Sequence, residues 1–472
     1  MTVICWFRND LRLRDNSALI AAAKASDDVI PLYILDDKQY RPLGGAQRWW
    51  LHHSLTSLAA DLDKYGLQLL LRNGNSKKIL AELADTHNIT GLYWNQVFEP
   101  KKLAADNAIR KFFESNNIEV DVFNDNLLNH PDDIKNKSGQ YFKVFTPYWR
   151  TASEFVVDEP PRQKPRTLAQ RTKRRGDKLN DWDLLPTRPD WSGGFDCWQP
   201  GEAGAHKALG QFVDAHVHEY LDKRDRPDLP GTSQLSPYIH FGELSPRQIW
   251  HSVKQAEQSR SGMAKGAAGF LRQLGWREFS YHLLYHFPEF PTDNFRAEFD
   301  KFSWDNDKQQ LKTWQQGQTG YPIVDAGMRQ LWHTGYMHNR VRMIVASFLT
   351  KDLFIDWRKG EAWFWDTLVD ADLANNVAGW QWVAGSGADA SPYFRIFNPT
   401  TQGEKFDPDG DYVRQWVPEL ADLPNKFIHN PSAAPKAILD EANVILGETY
   451  PWPMVDHKEA RETALARYKD VK

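Results

Sequence analysis

The sequence predicts an α/β domain with a parallel, doubly wound sheet, joined by a long linker to an all-α domain. Three observations carry that prediction. Short apolar runs alternate with helix-periodic stretches over residues 1–125. Periodicity then fails over 126–205, where Pro, Gly and charge accumulate, and from 206 to 472 only helical patterns remain. Strands alternating with helices at this interval favour a parallel sheet with crossovers.

The runs VICWF (3–7), VIPLYIL (29–35), LQLLL (67–71), ITGLYW (89–94) and IEVDVF (118–123) are continuous enough to be buried on both faces. Helical patterns lie near 17–25, 46–65, 76–87 and 99–116. The glycine fingerprint of dinucleotide binding is absent after the first run, where WFRNDLRLRDN stands instead. In the linker, the basic run PPRQKPRTLAQRTKRRGDK (160–178) reads as a solvated, mobile segment. Leu209, Phe212, Val213, Val217, Tyr220 and Leu221 continue one helical stripe, and Ser245-Pro246-Arg247-Gln248 reads as a capping box.

With 472 residues the chain is long enough for two or three domains, and its formal charge of −4 advertises no global affinity for nucleic acid. Any DNA partner must be met by a local basic patch. Two cysteines give no disulfide framework and fit a reducing cytoplasm. No apolar run approaches a membrane span. Twenty tryptophans are the one extreme feature.

Chemistry concentrates in DADLANNVAGWQWVAGSGADASPYFRIFNPTTQGEKFD (370–407). Asp370, Asp372, Asn375, Asn376, Trp380 and Trp382 fall within thirteen residues that contain no Lys or Arg. Buried carboxylates and amides need partners, and a large flat ligand with a polar edge and apolar faces would suit them. Core aromatics beside turn residues are the competing reading. Over 338–353, Val341, Ile344, Val345, Phe348 and Leu349 form an apolar stripe, leaving Asn339, Arg342, Met343 and Ala346 opposite. A buried Arg342 would need Asp370 or Asp372. Thr232, Ser233 and Ser236 precede a helix start suited to an anion. Gln273, Trp276, Arg277 and Ser280 share a face of a helix over 266–285.

These segments resemble the DNA photolyase/cryptochrome family across nearly the whole chain, most densely from Trp276 to Asp407. The resemblance implies an FAD-binding helical domain and a light-harvesting second chromophore, methenyltetrahydrofolate or a deazaflavin, in the α/β domain. Lys101 and Lys102 stand where the folate-binding relatives carry an Asn-Glu pair, and Trp49 and Trp50 could stack a pterin or pack the core. The family implies a flavin diphosphate at Thr232, Ser233 and Ser236, with Gln234 where Arg is common. It implies flavin contacts from Tyr220, Arg277, Asn339, Arg342, Asp370, Asp372 and Asn375, with Asn376 facing N5. Trp304, Trp357 and Trp380 match its electron-transfer indoles. Gln273, Trp276 and Met343 join Asn376 as catalytic candidates, and Arg224, Gln273, Trp276, Arg340, Trp382 and Arg395 as DNA contacts. Gln273 replaces the Glu usual in dimer photolyases, whereas Asn339 and Met343 stand where (6-4) enzymes carry His.

The expectation is therefore a monomeric photolyase acting on cyclobutane dimers in UV-damaged DNA, with no metal, membrane or obligate protein partner. The rivals are a (6-4) photolyase, a cryptochrome-type blue-light receptor, and an electron-transfer flavoprotein built on the N-terminal sheet.

Overall fold

The computed structural model describes residues 1–156, 159–390 and 394–471. Five strands, β1 (Thr2–Phe7), β2 (Val29–Leu35), β3 (Leu70–Asn73), β4 (Ile89–Asn95) and β5 (Glu119–Phe123), form one sheet in the order β3-β2-β1-β4-β5. Every neighbouring pair is parallel, with Ile4 opposite Ile30 and Leu92. Helices Ser17–Ala25, Gly45–Asp63, Ser76–His87 and Pro100–Ser115 make the crossovers. Ile4, Ile30, Leu80, Leu92, Trp94 and Phe113 fill one core against the sheet.

β3 begins three residues later than its apolar run. Leu67 and Leu69 are buried but lie outside the ladder, and the Gln68 amide N–H bonds the Gln170 side chain at 2.9 Å. Burial, the property hydrophobicity reports, extends further than strand pairing here.

The strand order reverses between β1 and β4, where an open α/β sheet usually takes a ligand. Buried polar contacts line that point of the sheet. Buried Asp10 accepts from Asn95 (2.8 Å) and Asn16 (3.1 Å), and the Leu11 N–H donates to the Phe241 carbonyl at 3.1 Å. Gly242 is required there: φ is +66°, and a Cβ would stand 1.9 Å from the Asn9 carbonyl oxygen.

Most of the basic run is solvent-exposed, as its composition suggests, with Leu168 and Arg174 buried, but it is anchored at several points along its length. Arg162 exchanges backbone and side-chain bonds with Asp15, and Val29 N donates to Ala169 O. Arg174 pairs with buried Asp28 at 2.9 Å, Arg171 pairs with Asp27, and Asp177 N donates to Leu71 O. The run is thus a strap along the sheet, because four acidic residues distant in sequence (Asp15, Asp27, Asp28 and Asp125) meet its arginines. The linker also contains a helix, Phe145–Phe155.

Two compact units share the chain. One comprises Met1–Asp190, Asp196–His218 and Ser233–Pro288; the other comprises Trp191–Phe195, Glu219–Thr232 and Glu289–Lys472. The expected stripe over 209–221 is not a single helix: Glu202–Ala215 ends, a turn intervenes, and Tyr220–Lys223 follows with Leu221 exposed. Helix Pro246–Ser259 starts with the Ser245/Gln248 capping box, and Ala264–His286 follows. In the second unit, helix Asn339–Ser347 runs into a turn of π-helix, Phe348–Asp352, and is followed by Trp357–Thr367 and Leu373–Ala384. Among the described residues, no helix is long and apolar enough to cross a membrane.

Candidate active site

In the second unit the apolar stripe is buried through Val341, Ile344, Val345, Phe348 and Leu349, while Asn339 is exposed and Arg342 and Met343 are half-buried. His338 caps the helix by accepting from Arg340 N at 3.2 Å. One Arg342 nitrogen donates to both Asp370 oxygens, at 3.1 and 2.8 Å, and its Nε donates to the Met337 carbonyl at 2.8 Å. Burial alone would lower the guanidinium pKa; Asp370 and Tyr336 outweigh it and raise it. Arg342 also lies over the Tyr336 ring, whose hydroxyl is hydrogen-bonded with Thr232. Thr232, Tyr336, Arg342 and Asp370 therefore form one connected group.

Asp372 caps the next helix, accepting from Asn375 N at 2.9 Å and Asn375 Nδ2 at 2.6 Å. Asn376, one position on, donates its Nδ2 to the Glu361 carbonyl at 3.0 Å and to Glu361 Oε1 at 2.9 Å. This leaves the Asn376 carbonyl as the acceptor end of the side chain. A Cβ placed on Gly379, on the same helix face, meets nothing within 4 Å. Gly379 itself is exposed, while Asn376 is buried.

Trp380 and Trp357 are buried, and Trp304 is half-buried against Phe302 at 4.4 Å. Trp380 packs edge-on against Phe364 at 5.0 Å, and its indole N–H has no hydrogen-bond partner among the described residues. Gly360 lets the helix carrying Trp357 reach it, since a Cβ there would lie 2.1 Å from the Trp380 ring. Trp357 donates to Asn294 Oδ1 at 2.9 Å. Trp382 is half-buried.

The candidate DNA cations are unequally engaged. Arg340 pairs with Asp225 at 2.9 Å, contacts the Met343 sulfur at 3.8 Å and lies over Phe406. Arg224 lies over buried Tyr220 and beside Asp225. Arg395 is exposed, and its carbonyl accepts from buried Lys351. Residues 391–393 of the motif segment lie outside the described residues.

The first unit holds the rest. Ser233 and exposed Ser236 flank Gln234, whose φ is +51°, ahead of the short helix Ser236–His240. On helix Ala264–His286, Gln273, Trp276 and Arg277 are half-buried. The Trp276 indole lies parallel to Phe145 with centroids 3.7 Å apart and planes 8° from parallel. Ser280 is buried, and its hydroxyl donates to Trp276 O at 3.0 Å. Arg277 donates to the Asn126 carbonyl at 2.9 Å and touches Glu278 at 3.3 Å. Glu278 accepts from Leu128 N and Asn129 N, and burial pushes its carboxyl up to about 7.

Trp50 is fully buried and donates its indole N–H to Glu243 at 3.2 Å, while Lys102 is tied to Glu99. Trp50 is therefore a core residue, and Lys102 is held in a partly exposed ion pair.

Sequence reasoning missed Glu361, Tyr336, Asp225 and Phe145. Glu361 lies fifteen residues from its amide partner, so no local period joins them. His338 carried a signal, standing just before the helix start.

The structure joins a parallel α/β sheet to helices that carry an arginine–aspartate pair, an anchored amide and buried indoles, as the resemblance to photolyases and cryptochromes implies. Comparison agrees. Residues 3–166 match the DNA photolyase family model, and 270–470 match the FAD binding domain of DNA photolyase. The deoxyribodipyrimidine photo-lyase of Agrobacterium fabrum is 52% identical over 472 residues, covering 100% of this chain and 98% of that protein. The solved bacterial class III photolyase from Agrobacterium tumefaciens superposes with a TM-score of 0.96 at 51% identity, covering 100% of this chain and 97% of that one. Cryptochrome-2 of Arabidopsis thaliana is 36% identical, covering 97% of this chain and 77% of that protein. The chain belongs to the DNA photolyase family.

Proposed function

We propose that this protein is a light-driven DNA-repair enzyme that splits cyclobutane pyrimidine dimers in UV-damaged DNA. The end-to-end likeness to the Agrobacterium fabrum photolyase carries the reading. The local chemistry agrees with it.

The donor set fits FAD. Arg342, held by Asp370, supplies a fixed positive charge, and Asn376 a neutral amide anchored by Glu361. Thr232, Ser233 and Ser236 would serve the diphosphate, with Tyr220, Arg277, Asn339, Asp372 and Asn375 as further contacts. When bound, reduced FAD excited by blue light supplies the electron that opens the dimer.

The protein's own task is electrostatic and positional. Arg342 favours an anion near it, and a neutral Asn376 adds no opposing charge. Met337 O and Asp370 fix the guanidinium, so no reorganisation is needed when charge appears. Trp380, Trp357 and Trp304 form an indole series from buried to half-exposed, suited to passing electrons inward from the surface. Trp276 and Trp382 offer ring faces to flipped bases, and the Gln273 amide and Met343 serve the lesion edge. Arg224, Arg340 and Arg395 serve flanking phosphates. The second chromophore, methenyltetrahydrofolate or a deazaflavin, has no residues assigned. The protein acts as a monomer in the cytoplasm.

Oligonucleotides carrying either a cyclobutane dimer or a (6-4) photoproduct, each irradiated with the protein under blue light, test this reading. Restoration of the dimer substrate alone is expected. Restoration of only the (6-4) substrate, or of neither with FAD bound and reduced, refutes it.

A further inference from the structure

Phe145 lies in the segment that sequence patterning treats as linker, yet its side chain is fully buried. It begins helix Phe145–Phe155 and lies flat against Trp276, 3.7 Å away and 8° from parallel. Trp149, one turn on, is parallel to Phe145 within 7° at 6.4 Å. Trp149 is held in turn by the close packing of Gly275, where a Cβ would stand 2.3 Å from its ring. Arg272, one turn before Trp276, places its guanidinium 5.0 Å from the Phe145 ring centre. Trp149 and Arg272 thus also lie against Phe145, while Trp276 itself keeps partial exposure.

An indole has two faces, and stacking on a base requires one of them to be held at a fixed tilt. A fully buried ring lying parallel to the other face supplies that constraint, which the backbone of a half-exposed tryptophan does not. We propose that Phe145 is a positioning residue for lesion recognition: it braces one face of Trp276 so that the other meets the flipped dimer. The inference rests on the reading of Trp276 as a lesion contact and goes beyond it by assigning a role to a residue that touches no substrate.

A double-mutant cycle tests it. Binding in the dark to a single-stranded oligonucleotide with one cyclobutane thymine dimer, and to its undamaged counterpart, is measured by fluorescence anisotropy. The proteins are the wild type, Phe145→Leu, Trp276→Ala and the double variant, all loaded with FAD. Phe145→Leu is expected to weaken dimer binding roughly three- to tenfold, part of what loss of a base–aromatic stack costs. Undamaged DNA binding and FAD content should be unchanged. In the Trp276→Ala background the same substitution is expected to change dimer affinity less than twofold, because the ring it braces is gone. Phe145→Tyr, which keeps the stack, should return affinity to within about twofold of wild type. If Phe145→Leu does not accumulate, Phe145→Met replaces it with a side chain that fills irregular space. Wild-type dimer affinity in a folded Phe145→Leu or Phe145→Met protein overturns the proposal. Equal losses in the two backgrounds also overturn it, because Phe145 then acts without Trp276. If Trp276→Ala itself leaves dimer affinity unchanged, the underlying site reading fails and takes the proposal with it.

Discussion

Asn376 donates both its amide hydrogens' worth of bonding to one residue, Glu361, through the carbonyl at 3.0 Å and Oε1 at 2.9 Å. Asn376→Asp keeps the shape and removes the donor. Two costs follow. The Glu361 carbonyl loses a partner in a buried setting, worth about 1–3 kcal/mol. The new carboxyl also faces the Glu361 carboxyl at hydrogen-bond distance, so the pair holds a proton that the two groups would release when separated and exposed. The folded pKa of the pair is therefore raised above its unfolded value. Stability relative to wild type is retained at low pH and lost as pH rises through the raised value, at up to about 1.4 kcal/mol per pH unit for one proton. The penalty should be about 2 kcal/mol at pH 5 and about 4 kcal/mol at pH 8, read by chemical denaturation of the FAD-loaded protein. Adding Glu361→Gln restores a donor to the new carboxylate and should remove the pH-dependent part. A penalty equal at both pH values, or a double variant as pH-sensitive as the single one, would refute the pairing. From the ligand side, the added charge should lower the reduction midpoint of bound FAD at alkaline pH; an unchanged midpoint would separate Asn376 from the flavin.

Three further outcomes are expected. Trp276→Ala should weaken binding to dimer-containing DNA by about 1–3 kcal/mol while FAD stays bound, measured by anisotropy and flavin absorbance; unchanged affinity would remove the stacking role. Glu278 is raised by burial to about 7, so folding holds its proton and wild-type stability falls as pH climbs from the unfolded value toward 7. Glu278→Gln should flatten that decline by about 2.5 kcal/mol between pH 5 and 8, and parallel denaturation curves would contradict it. Asp28→Ala leaves buried Arg174 without its 2.9 Å partner and also frees Arg171 N. It should cost about 3–5 kcal/mol and speed tryptic cleavage within 160–178, whereas an unchanged cleavage rate would mean the strap is held elsewhere.

The parts of the fold legible from sequence were those set by local pattern. Continuous apolar runs located the strands, because a parallel sheet buries both faces. The stripe through Val341 and Leu349 located a helix and put Arg342 on its other side. The thirteen residues from Asp370 to Trp382 contain no cation, which is why an arginine from elsewhere was expected, and the structure supplies Arg342. What stayed hidden depends on contacts distant in sequence. Composition makes 160–178 look solvated, and most of it is exposed, but it could not show that Asp27 and Asp28, more than 140 residues earlier, anchor Arg171 and Arg174. Likewise, no periodicity in the linker could reveal that Phe145 meets Trp276. Trp50 shows the same limit in the core: its burial against Glu243 depends on a carboxylate 193 residues away.

The most direct measurement is an action spectrum for dimer loss, using an oligonucleotide with a single cyclobutane dimer and the protein with its FAD fully reduced. Repair should occur only in light, with an efficiency that follows the absorption of the reduced flavin and of any second chromophore that co-purifies. Loss of the dimer in darkness, or its persistence at every wavelength that the bound flavin absorbs, would contradict the account.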